Sequence, residues 1–336
     1  MGQLPPARVT PSRTFLNTGV DYAGPVLLRT WKGRGAKTFN GWISLFVCFA
    51  TSAVHLELVS DYSSDGFLAA YQRFISRRGI CQTLFSDCGT NLQGVDAELR
   101  RLFSSASKEL HELAGRLTNE GTKWVFNPPG APHFGGKWEA AVRSVKHHLW
   151  RTIGDTLLTF EELTTLLTQI EAILNFRPLC PLAEDPEDPS ALTPGHFLIG
   201  DALTSVPEPS LTSLATSRLS RWQFIQQKVQ HFWARWAAEC LHNYQIISKW
   251  HQPSHELKVG SLELLTDQRL TPSKWPLAWI LQLHSGKDGL TRVVTLKTAS
   301  STLQRPITKL AVLPNHDCVK ASSPHVSTTG SSKAGG

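Results

Sequence analysis

Three acidic residues stand where a shared metal ion could be held. Asp21 and Asp87 each end a short apolar run, and Glu139 lies in the first turn of a helix predicted to follow a glycine-rich loop. In an open α/β sheet, strand ends and helix starts meet along one edge. Carboxylates at such an edge can bind hard cations such as Mg²⁺. Two such ions could activate an attacking hydroxyl and stabilise the leaving oxygen of an in-line displacement at phosphorus.

Each of these acids also has an ordinary structural explanation. An Asp at a strand end is commonly a turn former, and a Glu in the first helical turn complements the helix dipole. Residue type and position alone therefore leave a metal site and ordinary surface acids both open.

Basic residues follow Glu139 along the same predicted helix. Arg143 and Lys146 lie four and seven positions after Glu139, so the three share one helical face. Cations on that face could hold a DNA backbone beside the metal ions, and Lys137 is a weaker candidate for the same role. An exposed helix with a Glu–Arg pair at i,i+4 explains the same spacing.

The composition predicts a folded protein with an anionic partner. Of the 336 residues 41% are hydrophobic, and 34 Lys and Arg against 27 Asp and Glu give a net charge of +7. A disordered chain is excluded, and the charge favours nucleic acid or an anionic membrane surface. The longest apolar stretch, residues 42–50, is too short to span a bilayer, so no membrane span is expected. The cysteines form no C-x-x-C pair and no secretory signal is seen, which predicts a reducing, intracellular compartment.

The order of hydrophobic patterns predicts a mixed sheet with helices on both faces. Strands are predicted near residues 18–21, 26–31, 42–50, 54–59, 83–87 and 124–126, and helices over 61–78, 95–117, 137–153 and 159–176. The segment 54–59 alternates apolar and polar residues, as in a strand exposed on one face. Ser63 and Ser64 are candidate helix N-caps, Gly79 is expected to end that helix, and Thr159 and Glu162 have capping-box spacing.

The C-terminal third changes character. A helix is predicted over residues 217–250, with an apolar stripe from Trp222 to Trp236 that belongs to a core or a subunit interface. From residue 257, short apolar runs separated by turns predict a small β-barrel. Its excess of basic residues is compatible with DNA contact, with a solvated surface, or with a protein-binding module.

The motifs around the three acids resemble those of the D,D,E integrase core. They are Gly-Val-Asp-Tyr-Ala-Gly-Pro around Asp21, Ser-Asp-Cys-Gly-Thr-Asn around Asp87, and Pro-His-Phe-Gly-Gly-Lys-Trp-Glu-Ala-Ala around Glu139. The resemblance is closest to integrases of BEL/Pao-type long-terminal-repeat retrotransposons. It extends over about residues 10–314, including the stretches 46–59 and 192–200.

The resemblance implies a ribonuclease H-like core in which Asp21, Asp87 and Glu139 hold two Mg²⁺ or Mn²⁺ ions. It implies a polynucleotidyl transferase that trims the 3′ ends of its element's DNA and then joins them to target DNA. The implied partners are both DNAs and further copies of the chain in a homo-oligomer, and the implied compartment is the nucleus. Lys137, Arg143 and Lys146 would contact DNA.

Patterns and resemblance together predict five segments. They are an N-terminal arm (residues 1–14), the catalytic core (15–200), a helical linker (201–256), the small β-barrel (257–314) and a disordered tail (315–336).

Two departures from the family pattern keep a non-catalytic alternative open. Cys88 stands beside the second acid, where the family usually carries Asn, and a thiol cannot replace the amide's donor and acceptor. The family normally has a His-His-Cys-Cys zinc module before the core, whereas no cysteine precedes Cys48. The alternative is a domesticated DNA-binding protein that retains the integrase fold without catalysis. A ribonuclease H-type nuclease is a third possibility, which the predicted barrel argues against.

Overall fold

A computed structural model describes residues 10–87, 108–119, 121–127, 132–183, 185–203, 208–244, 257–266 and 275–313. The chain divides into two compact units. The first comprises Met1–Arg177, Thr193–Glu239 and Thr271–Lys274, and the second comprises Pro178–Leu192, Cys240–Leu270 and Trp275–Gly336. Each unit contains its own main sheet.

The first three elements are strands, helices and strands then alternate as far as Asn175, and strands dominate the C-terminal part of the chain. In chain order the elements are β1 (Asn17–Arg29), β2 (Thr38–Cys48), β3 (Val54–Val59), α1 (Ser64–Arg78), β4 (Thr83–Asp87), α2 (Lys108–Asn119), β5 (Lys123–Asn127), α3 (Pro132–Ile153), β6 (Leu158–Thr159), α4 (Phe160–Asn175), β7 (Cys180–Pro181), β8 (Ala191–Leu192), α5 (His196–Ile199), α6 (Arg221–Tyr244), β9 (Leu262–Leu265), β10 (Leu277–Ser285), β11 (Thr291–Lys297), β12 (Thr302–Pro306) and β13 (Leu310–Val312).

The sheet of the first unit is mixed, as predicted. Its strand order is β3-β2-β1-β4-β5, and the short strand β6 pairs with the end of β1. Strand β2 is antiparallel to β1 and β3, whereas β4 is parallel to β1 and β5. A register shift between Ala23 and Val26 lets β1 continue through the predicted break. The segments 18–21 and 26–31, predicted as separate strands, therefore form one strand.

Aromatic side chains join this sheet to α1. Phe46 of β2 stacks on Phe74 of α1 with ring centroids 4.2 Å apart, and Phe15 meets Phe74 edge-on at 5.2 Å. All three are fully buried, and burying a side chain of this size stabilises a fold by roughly 1.5–3 kcal/mol. This packing holds β2, and through it β1, in a fixed position.

Local signals define the ends of α1 and α4 as predicted. The Ser63 hydroxyl accepts a hydrogen bond from the Gly66 N–H, and Gly79 ends α1 with φ of 82°. Thr159 and Glu162 form a reciprocal capping box at the start of α4. These helix boundaries are therefore encoded in a few neighbouring residues.

Strand β3 is buried along its whole length, so the prediction of one exposed face was wrong. Its polar residues, His55 and Glu57, are buried because α1 and α4 supply partners for them. His55 Nε2 lies 2.9 Å from Glu57 Oε1, and His55 Nδ1 lies 3.2 Å from Glu171 Oε2 of α4. Both faces of β3 are buried. The alternation of polar and apolar residues therefore does not mark a face that is in contact with water.

Side chains from α4 also occupy the free edge of β3. The Asn175 side chain accepts from the Val54 N–H at 2.8 Å and donates to the Val54 carbonyl at 2.7 Å. Glu171 accepts from the Leu56 N–H at 2.8 Å. Backbone groups that would otherwise attract another strand are satisfied at these positions.

The second unit contains a five-stranded antiparallel sheet of order β12-β11-β10-β9-β13. A closed barrel would require the outer strands β12 and β13 to pair, and no such pair occurs among residues 257–266 and 275–313. The predicted barrel is therefore an open sheet in the part that the structure describes. One of its faces carries a cluster with Leu262, Leu264 and Trp279, and a second cluster includes Ala278 and Ile280.

Helix α6 is shorter than the predicted helix 217–250, of which residues 245–250 lie outside the described part. Phe232, Trp233 and Trp236 are buried as the stripe predicted, but Trp222 is 51% exposed. The buried stripe therefore starts at Ile225. None of the described helices is both long and apolar enough to cross a lipid bilayer.

Several predicted features lie outside the described residues. They are residues 1–9 of the N-terminal arm, Cys88, residues 95–107 of a predicted helix, and the predicted disordered tail 315–336.

Candidate active site

The register of β1 and β4 places two of the predicted acids at one level of the sheet. These parallel strands pair Asn17 with Thr83 and Gly19 with Phe85. Asp21 and Asp87 each lie two residues beyond that last pair, so the same register carries them to neighbouring positions. Adjacent strands are roughly 4.8 Å apart. The two backbone positions are therefore close, although the residues are distant in sequence.

Asp87 ends β4 as predicted, whereas Asp21 lies inside β1, opposite Leu45 of β2. The prediction that a strand ends at Asp21 was wrong because β1 continues through its register shift to Arg29. Residues before and after Asp21 also pair with β2, so Asp21 is held within the sheet and does not belong to a turn.

Among the described residues, the Asp21 carboxylate has two polar contacts. Its Oδ1 lies 2.6 Å from the Tyr22 backbone N–H, and its Oδ2 accepts from Lys146 Nζ at 2.7 Å. The side chains are 32% exposed for Asp21 and 25% for Lys146. The carboxylate is oriented by the protein but remains accessible to solvent.

Helix α3 begins at Pro132, earlier than the predicted start at residue 137. Proline is favoured in the first turn of a helix, and Gly135 and Gly136 lie within the helix. Glu139 is consequently beyond the first turn, where the helix dipole has little effect. The side chains of residues 132–140, including Lys137 and Glu139, lie outside the described part, as does the Asp87 side chain.

The contact between Lys146 and Asp21 orients one face of α3 toward β1. Glu139 is seven residues before Lys146, which is about 10 Å along a helix axis and close to the same face. Arg143 lies between them in sequence and is exposed. The structure thus brings the backbone of the third acid to the side of the sheet that carries Asp21.

Helix α6 anchors the second half of α3, which sequence reasoning missed. Lys228 donates to the Thr152 carbonyl at 2.8 Å, and Arg235 donates to the Arg151 carbonyl at 2.7 Å. Both carbonyls belong to the last turn of α3, where cations are favourable. Lys228 and Arg235 are seven residues apart in sequence. This spacing indicates that they share one face of α6, but it does not indicate which element that face contacts.

A buried histidine reinforces this contact between α3 and α6. His148 Nε2 lies 2.8 Å from Glu239 Oε2, at ion-pair distance but outside hydrogen-bond geometry. Burial lowers the pKa of His148, and the nearby Glu239 carboxylate opposes that shift. The contact supports the position of α3 and does not involve Asp21.

Within the part of the chain that the structure describes, no three His, Cys, Asp or Glu side chains gather closely enough to hold a metal ion. Asp21 is the one member of the predicted triad whose side chain is described. Its two oxygens are of the type that Mg²⁺ binds.

A family of unknown function, DUF5641, matches residues 220–313, which include α6 and the second sheet. No match was found among curated proteins. A chain of the cryo-EM structure of the simian T-cell lymphotropic virus intasome in complex with the PP2A regulatory subunit B56 gamma is 14% identical. That match covers 94% of this chain and 85% of the other with a TM-score of 0.33, which does not establish a shared fold.

Proposed function

We propose that the chain is the catalytic core of a BEL/Pao-type retrotransposon integrase with a ribonuclease H-like fold. The observation that carries the proposal is the parallel register of β1 and β4. This register brings Asp21 and Asp87, which stand in the first two D,D,E-like motifs, to neighbouring positions. The contact of Lys146 with Asp21 gives further support, because α3, the helix of Lys146, also carries Glu139.

Asp21, Asp87 and Glu139 would hold the divalent cations. Asp21 fits this role because its carboxylate is partly exposed and already attracts a positive charge, the Lys146 ammonium at 2.7 Å. When bound, Mg²⁺ or Mn²⁺ would make the attacking hydroxyl more acidic and stabilise the leaving oxygen.

The protein's own groups would bind and orient the DNA. The Tyr22 N–H at 2.6 Å fixes one oxygen of Asp21, and the Lys146 ammonium at 2.7 Å holds the other. Arg143 is exposed on α3 and would contact a phosphate of the backbone. Lys146 would balance the charge of a second phosphate, and Lys137 is proposed for the same role. The partners would be the element's DNA ends, target DNA and further copies of the chain, in the nucleus.

The decisive test is strand transfer and nicking of labelled duplex DNA with Mg²⁺ or Mn²⁺. We expect metal-dependent products from the wild type and their loss in both Asp87→Asn and Glu139→Gln. Removing such a ligand is expected to reduce the rate by a factor on the order of 10³ or more. Asp155→Asn, a change of an exposed acid just after α3, is the control and should retain activity. Equal activity in all four proteins would contradict the proposal.

One contact favours the second candidate, a non-catalytic DNA-binding protein. Lys146 neutralises Asp21 through an ion pair within the protein, so the fold does not require a cation at that carboxylate. In that case folded wild-type protein would bind duplex DNA without forming products. Cys88→Asn would then show whether the residue beside the second acid limits the activity.

A further inference from the structure

A groove lies beside β3, between α1 and α4, in the first unit. Its volume is about 580 Å³, which is within the roughly 300–1,000 Å³ typical of small-molecule sites. The charged residues of its wall are Glu57, Arg73 and Arg77, and Phe160 and Leu167 contribute apolar surface. None of the three predicted metal ligands contributes to it.

Two arginines in the groove share a single carboxylate. Arg73 Nε donates to Glu57 Oε2 at 2.8 Å, and Arg77 pairs with the other oxygen of the same group. His55 also contacts Glu57, and burial lowers the pKa of His55, which keeps the imidazole neutral. The lining therefore carries one more positive than negative charge.

A second ion pair behind the groove does not change this balance. Arg78 Nη2 lies 2.5 Å from Glu171 Oε1, and Glu171 also contacts His55. Because Arg78 and Glu171 cancel each other, the excess charge belongs to Arg73 and Arg77.

The excess charge faces the solvent. The side chains of Arg73 and Arg77 are 45% and 52% exposed, whereas Glu57 beneath them is 7% exposed. A guanidinium has five N–H donors, and Arg73 uses its Nε for Glu57 and its Nη2 for the Leu58 carbonyl. The planar arrangement of the other donors suits a carboxylate or a phosphate.

Apolar surface adjoins these cations. The Phe160 ring is 39% exposed at the start of α4, and Leu167 lies further along the same helix. An exposed ring beside two arginines suits a ligand with one charged end and one apolar end. A DNA strand is a poorer fit because it carries one charge per nucleotide, and the groove has a single excess charge above a buried carboxylate.

We propose that this groove binds a small organic anion. Arg73 and Arg77 hold its single carboxylate or phosphate group, and Phe160 packs against its aromatic or aliphatic part. The site is separate from the proposed active site and does not depend on the proposed function.

The probe is phenyl phosphate, titrated into the full chain and followed by ligand-observed NMR and calorimetry. Benzoate distinguishes a carboxylate from a phosphate, and inorganic phosphate lacks the apolar part. We expect inorganic phosphate to bind about tenfold more weakly than phenyl phosphate, because the ring buries apolar surface. Equal affinities for these two probes would overturn the assignment of Phe160.

Arg77→Gln is expected to weaken binding of phenyl phosphate on the order of tenfold, since it removes a charge-assisted hydrogen bond. The matched control is Arg116→Gln, because Arg116 is 61% exposed and also pairs with one carboxylate, Asp65. Equal loss in both variants would mean that binding is a general attraction to positive charge, and the proposal would be wrong.

Ser76→Tyr fills the groove without removing any charge and is expected to abolish binding. It keeps the test decisive if Arg77→Gln does not fold. Unchanged affinity in Ser76→Tyr would overturn the proposed location, and displacement of phenyl phosphate by a short DNA duplex would overturn the ligand class. Asp87→Asn should bind the probe like the wild type, so failure of the proposed function is distinguishable from failure of this site.

Discussion

Glu171 in the first unit and Glu263 in the second are both buried glutamates, with exposures of 8% and 1%. Burial raises the pKa of both carboxyls. At Glu171 the hydrogen bonds from His55 and the Leu56 N–H, together with the charge of Arg78, outweigh that effect, so its pKa lies below the usual value. At Glu263 the Ser261 hydroxyl alone opposes burial, and the pKa rises to about 8.

The difference shows that partners, not depth, decide the charge of a buried carboxyl. Glu263 lies in β9 opposite Ala278 and Val312, both apolar. Its Oε2 has no hydrogen-bond partner among the described residues. With a pKa of about 8, Glu263 retains its proton at pH 7, whereas Glu171 is ionised beside the Arg78 guanidinium and the neutral His55.

The largest expected effect is a loss of stability of the second unit, through Glu263, as the pH rises from 4.5 to about 8. Its folded pKa of about 8 lies above the ordinary glutamate value of 4.5, so the folded state retains a proton that the unfolded state releases. The stabilisation is complete below pH 4.5 and is lost as the pH rises through 8. It amounts to roughly 5 kcal/mol over that window. Urea unfolding at a series of pH values measures this loss of stability, with hydrogen exchange in β9 as the signal from the second unit.

Glu263→Leu should remove this pH dependence and make the second unit more stable than the wild type at pH 8. The control is Glu187→Gln, a change of a residue in the same unit whose side chain is 76% exposed. A wild-type stability that stays constant between pH 5 and pH 8 would contradict the assignment of a neutral Glu263.

The next largest effect is expected at Glu171. Glu171→Gln removes the negative charge that faces His55 and Arg78, whose side chains are 0% and 19% exposed. Leaving the largely buried Arg78 guanidinium without its partner costs roughly 3 kcal/mol. Hydrogen exchange at β3 and α4 reports the loss, and Glu161→Gln, which changes an exposed acid of the same helix, should have little effect. If both substitutions cost the same, the network around Glu171 would not be a stabilising one.

The smallest effect concerns Asp21, which is more exposed than either Glu171 or Glu263. Its side chain is 32% exposed and forms an ion pair with Lys146. Lys146→Gln should lower the free energy of unfolding by at most about 1 kcal/mol, because water screens the pair. The same change should weaken binding of duplex DNA severalfold and reduce its salt dependence. A stability loss as large as that of Glu171→Gln would place Asp21 with the buried acids instead.

Short-range signals made part of the fold predictable. The capping box of Thr159 and Glu162 and the helix stop at Gly79 each depend on residues within one turn, and both are present. The burial of β3 was not predictable from its alternating pattern. His55 and Glu57 are buried through contacts with α1 and α4, and the contact with Glu171 spans 116 positions.

The candidate site shows the same division. The motifs pointed to Asp21, Asp87 and Glu139, but spacing in sequence could not show that β1 and β4 share a register. The earlier start of α3 at Pro132 was also missed, because the two glycines after it indicated a loop. Helices held by tertiary packing tolerate such residues despite their low propensity.

The closed edge of β3 has a consequence for synthesis of the chain. Val54 obtains its partner Asn175 from 121 positions further along, and Leu56 obtains Glu171 from 115 positions further along. At roughly 5–20 residues per second, a ribosome needs on the order of ten seconds to add that length. During this interval the nascent sheet has an open edge that can pair with other chains. The β3 edge of the first unit is thus closed only when α4 has left the ribosome.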